Sequence, residues 1–389
     1  MPSRMRALVN AEALKWARRV AGFTSEDAAR RAGTSENRLA QWEAGEAHPT
    51  LRRLRLLARA YRRPTAFFYR SELPPEPPGL PDFRLLPDAV MERGNSPALR
   101  YEIRRVQARR ETALEILALL REVPSEVALR ADRGDGPEVV GSSVRQFLAV
   151  SMEVQRAWKD HYEALREWTR AVEARGVLVF QFSNVEVEEA RGFSVAHPTL
   201  PIVALNGKDS PRGRIFTLIH ELAHIALGQA ALCDLNDHDS AGWVEPFCNA
   251  VSAEALVPQA SLLASPEVAA QARDPEWSEP RLLALTNRFM VSREVVLRRL
   301  LSLGLTTEAV YQAHRERFLE EYRRQREGQG GFLQYFRGVL RDNGEAFTGL
   351  VLSAFDQKAI SERDVSHYLG DVKLRHVDAI RDVLAGAVD

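Results

Sequence analysis

Arg214-Ile215-Phe216-Thr217-Leu218-Ile219-His220-Glu221-Leu222-Ala223-His224 is the stretch of the 389-residue chain on which the reading turns. It is strongly apolar, and the spacing predicts a helix over 214–227 that stops at Gly228. On a helix, residues four apart share a face, so His220 and His224 can offer imidazole nitrogens to one ion. Glu221 stands beside them, close enough to accept a proton from a metal-bound water. Two histidines and a glutamate buried without partners in a Leu/Ile/Ala helix would cost several kcal/mol, roughly, which argues against ordinary core polar groups.

Downstream, Glu245–Pro258 reads as a second helix. Glu245 would supply a third ligand and leave the fourth position open for water or substrate. Asn249, one turn later on the same face, is placed to orient a ligand histidine through its other ring nitrogen. Zinc is the default ion for such a set, and manganese or iron would fit nearly as well. Cys233, in the loop 230–234 between the two ligand segments, is a candidate inhibitory thiolate on the open position. A buried apolar cysteine is the plainer reading, for it and for Cys248. His197 and His238 are candidates for oxyanion stabilisation or an extra ligand, against the commoner role of a solvated loop histidine.

Ahead of the motif, three β-type runs are expected at 176–182, 192–195 and 201–205. The last either pairs with an extended substrate or sits centrally in the core. Long helices are expected over 97–122 and 141–175, and residues 244–389 read as mostly helical, with loops near 265–280, 302–306 and 326–331.

Residues 10–62 break into short helices with turn signals between them. Thr24-Ser25 caps Glu26–Ala32, which ends at Gly33; Thr34-Ser35 caps Glu36–Glu43, which stops at Gly45; Pro49-Thr50 opens an amphipathic helix through Tyr61. The order helix, Gly33 turn, helix, with Trp42-Glu43-x-Gly45, resembles the Xre/Cro-type helix-turn-helix. In that fold the first residues of the second helix meet base edges, which puts Ser35, Glu36, Asn37, Arg38 and Gln41 nearest DNA. Asn37 and Gln41 suit adenine, and Arg38 a guanine or phosphate. Glu36 repels phosphate there, so the attracting charge is assigned to Arg52, Arg53, Arg55 and Arg59. Leu39 and Trp42 are assigned to the core.

The net charge is zero but uneven. Residues 1–70 hold 15 Lys/Arg against 6 Asp/Glu, and the other 319 hold 38 against 47. A basic end on an acidic chain points to a local anionic partner, most often nucleic acid. No apolar run spans a bilayer, the N-terminus lacks a secretory pattern, and two cysteines make no disulfide framework, so a cytoplasmic location is expected.

The segment 214–224, followed by Glu245-x-x-x-Asn249 and Leu256-Val257-Pro258, resembles the ImmA/IrrE metallopeptidases. Phe67-Phe68-Tyr69 and Pro81-Asp82-Phe83-Arg84 are similar to the connector of members fused to an Xre-type domain, and 332–384 is similar to their C-terminal region. One departure is Cys248, where a small Ala is usual. The resemblance implies His220, His224 and Glu245 as metal ligands, Glu221 as base, and a gluzincin-like α+β peptidase fold. It further implies cleavage of a DNA-binding repressor or antitoxin after a stress or DNA-damage signal. The chain is therefore expected to be multidomain: an all-α helix-turn-helix domain (1–70), a proline-rich linker (71–96), a zinc peptidase domain (97–262) and a mostly helical C-terminal domain (263–389). Expected partners are DNA and the protein substrate, with no membrane and with a homodimer left open. Two other readings stand beside the endopeptidase: a transcriptional regulator whose zinc site is structural or sensory, and one half of a toxin–antitoxin-like pair.

Overall fold

The computed structural model describes residues 5–74, 96–228, 231–233, 242–271, 274–326 and 335–386, with the backbone path alone for 231–233 and 319–326. The expected linker beyond residue 74, the connector residues 81–84 and His238 lie outside the described residues. Two compact units emerge, Met1–Arg105 and Val106–Asp389.

The first unit is all helical: α1 (Ala11–Ala21), α2 (Ser25–Ala32), α3 (Glu36–Glu43) and α4 (Leu51–Ala60), then a 3-10 turn over Thr65–Tyr69. Each α-helix begins where the local chemistry demands. The side chains of Asn10, Thr24, Ser35 and Thr50 accept hydrogen bonds from the exposed backbone N–H groups of the first turns. Leu14, Trp16, Leu39, Trp42, Leu54, Leu57, Phe67 and Phe68 form the core. The expected core roles of Leu39 and Trp42 therefore hold, and Phe67 and Phe68 belong to this core. Arg18 on α1 grips Glu43 on α3 through two parallel hydrogen bonds, Nε to Oε1 at 2.8 Å and Nη2 to Oε2 at 2.9 Å. This fork fixes the angle of α3.

The division between units falls inside α5 (Pro97–Leu120). Beyond it come α6 (Pro137–Leu148), α7 (Met152–Ala157) and α8 (His161–Glu173). The long helix expected over 141–175 is thus three. Ala149 takes a left-handed φ of 55°, and Ser151 and Asp160 each restart the chain as an N-cap. Local hydrogen bonds from these short polar side chains outcompete continuation of the helix.

The sheet is formed by β1 (Leu178–Phe182), β2 (Gly192–Val195), β3 (Ile202–Asn206) and β4 (Ala231–Cys233), in the order β1-β3-β2-β4. β1 runs parallel to β3, with Leu178 opposite Ile202; β2 runs antiparallel to both β3 and β4. Every residue of β3 is buried. Because β3 is paired along both sides, it has no free edge for an extended substrate, and the augmentation role weighed for 201–205 is excluded. The stretch expected as a loop around 230–234 instead contains β4, three residues too short to show an alternating pattern.

α9 (Pro211–Ala226) lies across β2 and β3. Ser210 caps it, Pro211 opens it, and every residue from Thr217 to Ala226 is buried. α10 (Val244–Leu256) packs against both α9 and α6. Two glycines set these spacings. A Cβ on Gly192 would stand 2.5 Å from Thr217 Cγ2 and 2.8 Å from the Ala204 carbonyl oxygen; one on Gly141 would stand 2.9 Å from the Val251 carbonyl oxygen. The helices α11 (Gln259–Leu263), α12 (Pro266–Ala269), α13 (Glu279–Phe289), α14 (Arg293–Ser302) and α15 (Glu308–Arg326) follow. Leu282, Leu285, Phe289, Val296 and Leu300 share one core with α9 and α10. The chain closes with α16 (Tyr335–Asn343), α17 (Glu345–Asp356), α18 (Glu362–Tyr368) and α19 (Val377–Leu384). Among the described residues no helix is long and apolar enough to cross a membrane.

Two consequences are measurable. Gly192→Ala should push the sheet off α9 and destabilise the fold by roughly 1–3 kcal/mol, since a packed interface does not absorb a methyl group freely. An unchanged unfolding midpoint would contradict that packing. Glu173, at the end of α8, faces the backbone N–H groups at the start of α17, and burial, with Glu345 nearby, pushes its carboxyl up to about 8. The folded chain then keeps a proton that the unfolded chain releases, so this group makes stability fall as pH rises from roughly 4.3 to about 8. Glu173→Gln should flatten that segment of the curve in denaturant titrations run across this range; an identical slope in both proteins would rule the assignment out.

Candidate metal centre and nucleic-acid interface

His220 and His224 are one turn apart on α9, and their rings lie 4.8 Å apart between centroids. Their Nε2 atoms face each other at 3.0 Å. Glu245, from the first turn of α10, brings Oε2 to 3.1 Å from His220 Nε2 and Oε1 to 3.1 Å from His224 Nε2. Both imidazoles are buried, at 0% and 1% exposure, while the Glu245 side chain keeps 16%. Burial pushes the Glu245 carboxyl up, but the two imidazoles outweigh it and hold it below the usual carboxylate range. Among the described residues this trio is the cluster able to hold a metal ion, with all three donor atoms within 4.8 Å of one another.

The donor set fits a tetrahedral ion. Bonds of about 2.0–2.1 Å at tetrahedral angles hold neighbouring ligand atoms about 3.3 Å apart. Each imidazole meets its own carboxylate oxygen at 3.1 Å, close to that separation, and three protein residues leave a fourth coordination position. Two ring nitrogens meeting at 3.0 Å also need something positive between their lone pairs, either a shared proton or a cation.

Glu221 is fully buried beside His220. Asn249 is half-buried, one turn after Glu245. Cys248 is fully buried in the core with Phe247 and Val251, as the plainer reading has it. The Cys233 backbone pairs with Gly192 at the end of β4; its side chain lies outside the described residues. His197 is half-buried in the β2–β3 turn, where burial and the charge of Arg110 push its pKa down.

The carboxyl end of α10 is held by side chains that sequence reasoning missed. Gln155 is fully buried; its Nε2 donates to the Leu256 carbonyl at 3.0 Å and the Phe289 carbonyl at 2.8 Å. Arg145 Nη1 donates to Gln155 Oε1 at 2.6 Å and to the Ala255 carbonyl at 2.7 Å. Arg299 pairs with Glu254 and donates to the Val257 carbonyl at 3.2 Å. These groups satisfy the carbonyls that every helix leaves open at its end. An Arg on the otherwise apolar face of Val140, Val144 and Leu148 was the available signal.

On α3, Ser35, Glu36 and Asn37 are exposed, and Arg38 and Gln41 are half-buried. Ser35 Oγ accepts from the Arg38 backbone N–H at 3.3 Å, so the cap uses one of its lone pairs. Arg38 Nη1 donates to Gln41 Oε1 at 2.7 Å, which leaves the Gln41 amide N–H groups as the donors.

Residues 172–301 match a peptidase family model described as the IrrE N-terminal-like domain, and residues 14–68 match a helix-turn-helix model. The chain is a fusion of a helix-turn-helix domain and an IrrE-like peptidase domain. No curated protein and no solved structure matches it. The IrrE-like match runs from the end of α8 to the end of α14 and so contains the whole trio, Glu221 and the anchored end of α10. The helix-turn-helix match spans α1 through the 3-10 turn.

If the trio holds an ion, Glu245→Ala should weaken metal retention at least about tenfold, more than loss of a second-sphere group typically does at its lower limit. Elemental analysis after dialysis, together with a metal-dependent rise in melting temperature, reads this out. Equal metal content in both proteins would remove residue 245 from the ligand set.

Proposed function

We propose that this chain is a zinc-dependent endopeptidase whose ligands are His220, His224 and Glu245, with Glu221 as the catalytic base. The observation that carries the proposal is the meeting of two α9 imidazoles, 3.0 Å apart at Nε2, with one α10 carboxylate whose two oxygens each lie 3.1 Å from one of them. Zinc, when bound, supplies Lewis acidity and a water acidic enough to react near neutral pH; manganese would suit the same donors. Glu221 accepts a proton from the attacking water and passes it to the leaving amine nitrogen. Asn249 orients a ligand histidine. The exclusion of solvent from both imidazoles keeps the site's dielectric low, which strengthens every charge interaction in it.

The helix-turn-helix domain binds DNA through α3. Asn37 and the Gln41 amide read base edges, Arg38 holds Gln41 in place, and Ser35 approaches a phosphate. The substrate is a partner repressor or antitoxin in the cytoplasm, cleaved in response to stress or DNA damage. A second reading is a transcriptional regulator with a structural or sensory metal, which the helix-turn-helix match accommodates.

Glu221→Gln separates the two. The variant should keep its metal and its melting temperature while cleavage of a repressor encoded beside the gene falls by about 10²–10⁴-fold. Undiminished cleavage would remove Glu221 from the mechanism, and a wild-type chain that binds operator but cuts no candidate would favour the regulator.

A further inference from the structure

The carboxyl half of α4 and the turn after it carry charge that the recognition helix does not use. Arg55, Arg59, Arg62 and Arg63, with Ala58, Pro64 and Thr65, line an open groove of about 470 Å³. Arg55, Arg59 and Arg62 are exposed and recur at i, i+4 and i+7. Arg55 and Arg59 lie one turn apart on α4, and Arg62, with a left-handed φ of 51°, follows in the turn after the helix ends at Ala60. Arg63 is held rigidly, its guanidinium 5.0 Å from the Trp16 ring centroid and 5.4 Å from that of Phe67. Arg62 lies 3.6 Å over the ring of Tyr101 at the start of α5. Arg104, one turn along α5, donates to the Val20 carbonyl. Burial pulls its pKa down to about 10, and the neighbouring charges of Arg63, Arg100 and Arg62 pull the same way. Among the described residues no carboxylate forms an ion pair with Arg55, Arg59, Arg62 or Arg63. Among the described residues, like charges are gathered there without an ion-pairing carboxylate, and an anion from outside would relieve that repulsion.

The groove does not face the same way as α3. Arg53 marks the side of α4 that looks toward the turn and recognition helix: it donates to the Gly33 carbonyl at 3.2 Å and sits 5.8 Å from the Trp42 ring centroid. At about 100° per residue, Arg55 and Arg59 point roughly 120–160° away from it, on the side that Arg52 shares. No residue of α3 lines the groove. A duplex seated on α3 would therefore leave these arginines uncovered.

We infer that this face of α4 is a second nucleic-acid contact, a sequence-independent track for the phosphates of a segment other than the one read by α3. An open row of exposed guanidiniums suits a strand backbone, whereas a small anion is usually enclosed by backbone N–H groups. Thr65 adds a hydroxyl donor at the end of the row. The inference extends the reading of the first unit as a DNA-binding domain, and its test keeps the two apart.

The experiment uses the full chain and a random-sequence duplex of about 12 base pairs, short enough to occupy one face at a time. Sedimentation gives the number of duplexes per chain, and anisotropy gives the salt dependence of binding. Wild type should bind two duplexes. The Arg55→Ala/Arg59→Ala/Arg62→Ala variant should bind one, with a log K against log salt slope shallower by about 2–3, near 0.9 per lost phosphate contact. All three side chains are exposed, so the melting temperature should hold. Asn37→Ala/Gln41→Ala should alter sequence preference and keep the slope. A triple variant with unchanged stoichiometry and slope overturns the second contact. If only the α3 variant leaves binding untouched, the groove stands and the α3 reading fails; a chain that binds no duplex overturns both. Competition by sodium tripolyphosphate for the arginine groove, with duplex binding undisturbed, would show a small-anion site and also overturn the strand assignment.

Discussion

The costly contact of the second unit is the one between two buried imidazoles and a carboxylate that keeps only part of its exposure. An isolated polar group costs several kcal/mol to bury, roughly, and an uncompensated charge far more. The cost is offset only if the three donors meet closely, and here they do, with the Nε2 atoms 3.0 Å apart and a carboxylate oxygen 3.1 Å from each. One turn of α9 guarantees the histidine pair. Nothing in α9 guarantees Glu245, which is separated from His224 by 20 residues and arrives on another helix. The spacing between α9 and α10 is therefore the constraint that the surrounding structure has to satisfy.

The surroundings meet that constraint from three sides. Gly192 lets the sheet approach α9 at Thr217, and Gly141 lets α6 approach α10 at Val251. At the far end of α10, Arg145, Gln155 and Arg299 hold the carbonyls of Ala255, Leu256 and Val257 in place. Helix α10 is thus fixed at its carboxyl end by hydrogen bonds and along its length by packing, so its first turn has little freedom to carry Glu245 away. Charged groups buried at 5–9% exposure, such as Arg299 and Glu254, are tolerable here because each meets the other and a backbone acceptor or donor. They contribute position more than net stability.

How much of this could be read in advance depends on the range of the interaction. The helix boundaries of the first unit follow from side chains that bond within their own first turn, Thr24, Ser35 and Thr50, and such signals survive in a linear sequence. The His220–His224 pair is legible for the same reason. The trio was reached by adding Glu245 on spacing and resemblance, and the fold brings it to the pair. By contrast, the division of 141–175 into three helices turns on a left-handed Ala149, which no propensity announces. β4 has three residues and draws its order from pairing with β2. The roles of Arg145 and Gln155 are fixed by partners more than 100 residues away. The pairing of β3 on both edges likewise depends on β1 and β2, so a central strand and a substrate-pairing one were indistinguishable in sequence.

The two basic regions of the first unit show how charge and specificity can be separated on one small scaffold. The exposed tip of α3 carries Glu36 beside Asn37, an arrangement poorly suited to drawing a polyanion inward. The attraction has to come from elsewhere, and α4 with the turn after it supplies it: Arg53 toward α3, and Arg52, Arg55, Arg59 and Arg62 on other sides. A recognition helix with few positive charges gains little from non-specific sites, so base contacts decide more of its binding energy. A row of arginines facing the other way adds affinity without regard to sequence, and it does so without flattening the discrimination of α3, because the two surfaces need not engage the same stretch of nucleic acid. The excess of positive charge in residues 1–70 is in that sense two excesses, divided by the width of a single helix.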